Sequence, residues 1–145
     1  MTPSPDCADL IKQFEDCKLS AYLCPAGIPT IGWGSTGPDI ALGLRWTRAQ
    51  ADMRLAADLA TFGKQVAALI GDSPTTQHQF DALCSFAYNL GAGALGKSTL
   101  LKDHKDGLYQ AAQGQFGLWT KGGGKVLAGL VKRRAAEAAL YGRKI

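Results

Sequence analysis

FEDCKLSAYLCPAGIPTIGWGST, residues 14–36, decides the reading of this chain. Eight residues separate a carboxylic acid, Glu15, from a thiol, Cys24, and five more separate the thiol from a hydroxyl, Thr30. The acid falls near the end of a helical pattern, and the other two fall in a stretch that reads as a hairpin. Ser20 to Leu23 can extend, and Pro25-Ala26-Gly27 supplies turn chemistry. Ile28 to Trp33 can return as a second strand, with Gly32 and Gly34 suited to a twisted or bulged ribbon.

Upstream, Ser4 can cap a helix over about 5–18, with Pro5 at the first position, where a missing N–H costs nothing. Cys7, Leu10, Ile11, Phe14 and Cys17 form one apolar stripe, and Glu15 lies at its edge. Downstream, residues 34–46 are glycine-rich and irregular, with room for a third short strand. The stretch 20–46 reads as a small β-lobe. Thr47 and Gln50 form a capping box for a long helix carrying Leu55, Leu59, Phe62, Val66, Leu69 and Ile70 and stopping at Gly71. It is long enough to join two lobes.

Thr76 and Gln79 repeat the capping box for a helix with Phe80, Leu83, Cys84 and Ala87 on one face. This helix ends at Asn89-Leu90-Gly91 and reads as the centre of a helical lobe. Ser98 caps a short helix that stops at Gly107. Another is expected over about 108–119 with Leu108, Ala112, Phe116 and Trp119 inward, then a flexible glycine loop over 120–125. The last helix, about 126–141, is expected to bury Leu127, Leu130, Val131, Ala138 and Tyr141 and to expose Lys132, Arg133 and Glu137. No internal repeat or inter-domain linker interrupts the chain.

The 145 residues suit one domain whose core needs no staples. With 46% hydrophobic and 19% charged residues, long disorder is excluded. A net charge of +4 suits a polyanion such as bacterial wall, nucleic acid or a membrane surface without choosing among them. Nucleic acid is disfavoured, because the basic residues do not concentrate on one helix with aromatic stacking positions. No apolar run reaches the roughly 18 residues of a membrane span. The start, MTPSPDCADL, lacks the basic and apolar regions of a secretory signal, so accumulation in the cytoplasm is expected. The cysteines at 7, 17, 24 and 84 fit no zinc spacing and are expected to stay thiols there.

The Glu15, Cys24, Thr30 arrangement resembles the Glu-x8-Asp/Cys-x5-Thr site of the phage lysozyme (endolysin) family, the phage-type muramidases of glycoside hydrolase family 24. Thr30-Ile31-Gly32-Trp33-Gly34 resembles the strand of that family, although Ser35 stands where a histidine often follows. TQHQFDALCSFAYNLG, residues 76–91, resembles its core helix, and Gly129-Leu130-Val131-Lys132-Arg133-Arg134 with Glu137 resembles its Gly-Leu-x-x-Arg-Arg-x-x-Glu helix. The resemblance implies an α+β, mainly α-helical, lysozyme-like bilobal fold in a single domain, residues 1–145. The β-lobe would be 20–46, the linking helix 47–70, and the helical lobe 71–145 plus the first helix. It implies hydrolysis of the β-1,4 bond between N-acetylmuramic acid and N-acetylglucosamine in peptidoglycan, leading to host lysis. The partner is then the bacterial wall, not nucleic acid. A monomer would be released through a holin-type pore to act in the periplasm, with no metal or organic cofactor. Glu15, Cys24 and Thr30 would be catalytic, Asn89 and Arg133 would bind substrate, and Arg133 would also pair with Glu15.

Such a reaction needs an acid for the leaving oxygen and a base or nucleophile on the opposite face of the sugar. Glu15 serves only while protonated; apolar Ile11 and Phe14 favour that form, and an arginine opposes it. A thiol of ordinary pKa, about 8.5, is a weak base at neutral pH unless its thiolate is stabilised. Thr30 can hold a water. A lytic transglycosylase, which needs the acid but no activated water, and a wall-binding module with a degenerate site are the alternatives. The cationic segment KVLAGLVKRRAAEAALYGRKI, residues 125–145, reads as a core-facing helix with a solvated basic side.

Overall fold

The computed structural model describes residues 1–144; Ile145, the end of the basic segment, lies outside the described residues. Helix α1, Pro5–Phe14, leads into an antiparallel hairpin of β1, Lys18–Leu23, and β2, Pro29–Gly32. Lys18 stands opposite Gly32 and Tyr22 opposite Thr30, with a bulge between them on β1. The tight turn is closed by Gly27 N–H donating to the Cys24 carbonyl at 2.8 Å and Cys24 N–H donating to the Ile28 carbonyl at 3.0 Å. Helix 1 is therefore shorter than expected. Glu15 is already extended, at φ −97° and ψ 128°, because the chain must straighten to bring Lys18 into the ladder. Cys17 is half-buried between helix and strand rather than on a helix face. The third strand reduces to a bridge between Ser20 and Arg45, flanked by Ala21 N–H to Leu44 and Trp46 N–H to Leu19.

Helix α2, Arg48–Ile70, starts at the Thr47–Gln50 capping box and turns its buried residues Ala51, Leu55, Leu59, Val66 and Ile70 toward the core. Helix α3, Gln77–Leu90, opens with the Thr76–Gln79 box. Every residue from Gln79 to Ala87 is buried, as befits a helix surrounded by others, here α1, α2 and α7. Short helices α4 (Ala92–Gly96), α5 (Thr99–Lys105) and α6 (Tyr109–Gln115) follow, the last extended by a 3-10 turn over Phe116–Leu118. The Ser98 hydroxyl caps α5 by accepting from Leu101 N–H at 3.0 Å.

Leu108 does not face inward. It precedes α6, where Gly107 at φ +75° turns the chain, and is exposed. The glycine-rich stretch is not a loose loop either. Lys121–Gly122 (β3) and Lys125–Val126 (β4) pair around Gly123 and Gly124, both at positive φ, the geometry of a two-residue hairpin turn. Helix α7, Ala128–Tyr141, is rotated from the expected face. Leu127 and Val131 are exposed, whereas Arg133, Arg134 and Glu137 are buried. The arginines are therefore not a solvated basic side; they carry their own counter-charge inward.

The β-lobe is pinned to the helices through Trp33. Its indole N–H donates to Asp52 on α2 at 2.7 Å, and Lys12 and Arg48 lie over its ring. Tyr88 on α3 donates to the Trp33 carbonyl at 2.7 Å. Ser35 is buried and donates to Asp58 at 2.8 Å. The result is an α+β, mainly helical fold of two lobes, with Glu15 at their junction. Among the described residues no helix is long and apolar enough to cross a membrane.

Candidate active site

Glu15 follows the last residue of α1, its N–H bonded to the Ile11 carbonyl at 2.9 Å. Its side chain is 25% exposed, so it keeps access to solvent while resting on protein. Arg133 Nη1 donates to Oε1 at 2.9 Å, the pair that the family resemblance implies. On the other side, Gly34 presents bare backbone at φ +89°; a Cβ there would stand 3.1 Å from Oε2. The carboxylate is bonded by a guanidinium on one side and has a glycine beside it on the other.

Behind Arg133 lies a buried polar set. Arg133 Nη2 donates to the Ser85 carbonyl at 3.2 Å, and Nε lies 3.4 Å from Glu137 Oε2. Glu137 is fully buried and accepts from the Ser85 hydroxyl at 2.5 Å. Burial pushes its carboxyl upward, while Arg134, Arg133 and Ser85 pull it back. Arg134 Nη2 donates to Asn89 Oδ1 at 2.6 Å.

These groups open on a cleft of about 370 Å³ lined by Glu15, Asn89 and Arg133, with Phe14, Leu127 and Leu130 as apolar walls. A larger cavity of about 440 Å³, lined by Thr76, Tyr109 and Tyr141 among others, presents no carboxylate. Chemistry, not size, therefore makes the smaller one the candidate cleft. Among the described residues no three His, Cys, Asp or Glu side chains gather closely enough to hold a metal ion.

Cys24 and Thr30 sit together in the hairpin, outside this lining. Backbone N–H groups, chiefly that of Ile28 and next that of Ala26, hold the Cys24 thiol below its ordinary range against some desolvation. The Thr30 hydroxyl lies beside the sulfur but donates to the Ile28 carbonyl at 2.9 Å. Its single proton serves one acceptor at a time, leaving its lone pairs free to accept. Burial raises the Tyr22 phenol, and the charges of Glu15, Cys24 and Asp16 raise it further. Cys7 and Cys84 are buried free thiols pushed up by desolvation, Cys84 to about 12.

Gly34, Ser85 and Tyr22 were not singled out from the sequence as parts of the site. Glu137 was read as an outward residue, although its spacing of four from Arg133 and three from Arg134 is the signal that a single carboxylate can serve both.

Residues 12–137 match the family model described as phage lysozyme. The chain is 42% identical over 139 residues to an endolysin of Acyrthosiphon pisum secondary endosymbiont phage 1, covering 91% of this chain and 92% of that one. It is 43% identical over 138 residues to an endolysin of Bacillus phage PZA, covering 92% of this chain but spanning only 52% of that protein. Among solved structures, it superposes on the muramidase domain of SpmX from Asticaccaulis excentricus with a TM-score of 0.89 at 36% identity, covering 97% of each chain. The chain belongs to the phage lysozyme family and is, with it, a lysozyme-type glycoside hydrolase.

Proposed function

We propose that this protein is a phage endolysin of the muramidase type, hydrolysing the β-1,4 bond between N-acetylmuramic acid and N-acetylglucosamine in peptidoglycan. The carrying observation is the Glu15 carboxylate, partly exposed at the cleft, tethered by Arg133 and with room for it left only by the missing side chain of Gly34. Glu15 is the general acid that protonates the leaving oxygen. Cys24, whose thiolate the turn amides favour, draws a proton from the attacking water, and Thr30 holds that water by accepting from it. Asn89 contacts the glycan. Arg133, read from the sequence as a substrate contact, directs its donors to Glu15 and Ser85, with Glu137 beside its Nε, and acts chiefly through Glu15. The protein works as a single domain and a monomer on the wall, in the periplasm, after release from the cytoplasm through a holin-type pore.

Mass spectrometry of fragments released from purified peptidoglycan tests the reaction. Reducing-end muropeptides support hydrolysis. Anhydro ends would instead make the protein a lytic transglycosylase, and no release at all would leave a wall-binding module.

A further inference from the structure

One turn of α7 carries two adjacent arginines, and both are buried. Consecutive helical positions point about 100° apart, so the two guanidiniums diverge. Arg133 reaches Glu15 from α1, and Arg134 reaches Asn89 from α3. Both destinations line the cleft. A single carboxylate lies between the arginines: Glu137 Oε2 is 3.4 Å from Arg133 Nε, and Oε1 is 2.9 Å from Arg134 Nε. The second contact is a charge contact whose N–H points off the oxygen, since neither atom has an aligned hydrogen-bond partner. Ser85 fixes Oε2 by donating to it at 2.5 Å.

We propose that Glu137 is a positioning residue for both sides of the cleft, holding Arg133 toward Glu15 and Arg134 toward Asn89. This rests on the muramidase reading and adds to it a division of labour. Two buried cations are balanced by two carboxylates, Glu137 and Glu15. Without Glu137, Arg134 would keep no carboxylate within contact, and Arg133 would keep only Glu15 and the Ser85 carbonyl. On the Asn89 side, Arg134 occupies the amide oxygen, which leaves the NH2 as the group Asn89 would offer to the cleft it lines. It therefore recognises an acceptor on the glycan, such as an acetamido carbonyl or a carboxylate, rather than a donor.

The test is kcat and KM for muropeptide release by Glu137→Gln, alone and in an Asn89→Ala background. Glu137→Gln is expected to lower kcat about tenfold or more, through a misdirected Glu15, and to raise KM severalfold. In the Asn89→Ala background it should lower kcat only, since the KM route is already gone. An equal KM rise with and without Asn89, or wild-type kcat and KM in Glu137→Gln, would overturn the proposal. If Glu137→Gln does not fold, Ser85→Ala removes the hydroxyl that fixes Oε2 and that also lies 3.5 Å from Arg133 Nη2, at a helical position where alanine is favourable. It should lower kcat with KM unchanged, and an unchanged kcat would equally overturn the proposal. NMR of the Arg133 and Arg134 Nε–H groups separates this from the reaction itself. Both signals should shift or broaden in the folded variant even if wild type releases nothing, and unmoved signals would refute the positioning whatever the activity.

Discussion

Gly34→Ala tests the idea that bare backbone holds the acid in place. Two costs arise at this position. The backbone at φ +89° is one that residues with a Cβ resist by about 1–2 kcal/mol. The new methyl would also stand 3.1 Å from Glu15 Oε2 and 3.3 Å from Cδ, closer than ordinary contact. Glu15 must then move by a few tenths of an ångström, and Arg133 at 2.9 Å tethers its other oxygen. Since a misplacement of about 1 Å costs on the order of a hundredfold in rate, about tenfold is expected here. Gly43 supplies the control. Its φ is +95°, yet a Cβ there meets nothing within 4 Å. The shared backbone cost should lower the thermal midpoint of both alanine variants by roughly 3–8 °C, with Gly34→Ala losing somewhat more from its contact with Glu15. Only Gly34→Ala should lose activity, read as the initial rate of muropeptide release well below either midpoint. A Gly34→Ala rate within twofold of Gly43→Ala would refute the reasoning.

Cys24 should be the first thiol alkylated by iodoacetamide, with a rate that rises at lower pH than for an ordinary cysteine because turn amides favour its thiolate, while buried Cys7 and Cys84 stay unmodified; peptide mapping that found Cys84 modified first would contradict this. His104 is buried between Tyr141 and Thr75, and burial lowers its pKa. The unfolded chain therefore binds its proton more readily, so the stability tied to neutral His104 is full above about pH 6.5 and declines as pH falls below it. Urea unfolding should show that decline in wild type and a flatter one in His104→Gln, and identical slopes would exclude it. Arg133→Met keeps bulk but strips Glu137 of one of its two cations, so unfolding should become easier by about 3 kcal/mol; a loss below about 1 kcal/mol in the same assay would show the buried set to be dispensable.

The elements with local signals were legible in the sequence. Both capping boxes, at Thr47 and Thr76, rest on side chains that bond amides three residues away, and the structure has both. The Glu15–Arg133 pair was also anticipated, but from resemblance, since 118 residues separate the partners and no local rule connects them. The failures share one cause, which is tertiary demand overriding local pattern. Helix α1 stops at Phe14 because Lys18 pairs with Gly32, although Cys17 continues the apolar period. The face of α7 was misread because apolar periodicity favoured Leu127 and Val131. Arginine and glutamate are poor candidates for burial singly, and only their spacing shows that they can enter the core as a neutralising set. Gly34 was read as a strand irregularity, because the carboxylate it accommodates is 19 positions away in sequence and adjacent only in the fold.

The most direct measurement of the central claim is the initial rate of muropeptide release by Glu15→Gln relative to wild type, with the thermal midpoint of each. Glutamine keeps the shape and an oxygen for Arg133 but has no proton to give. The predicted result is a fall of about 10²- to 10⁴-fold with the fold intact. A folded Glu15→Gln protein retaining more than about a tenth of the wild-type rate would contradict the assignment of Glu15 as the acid.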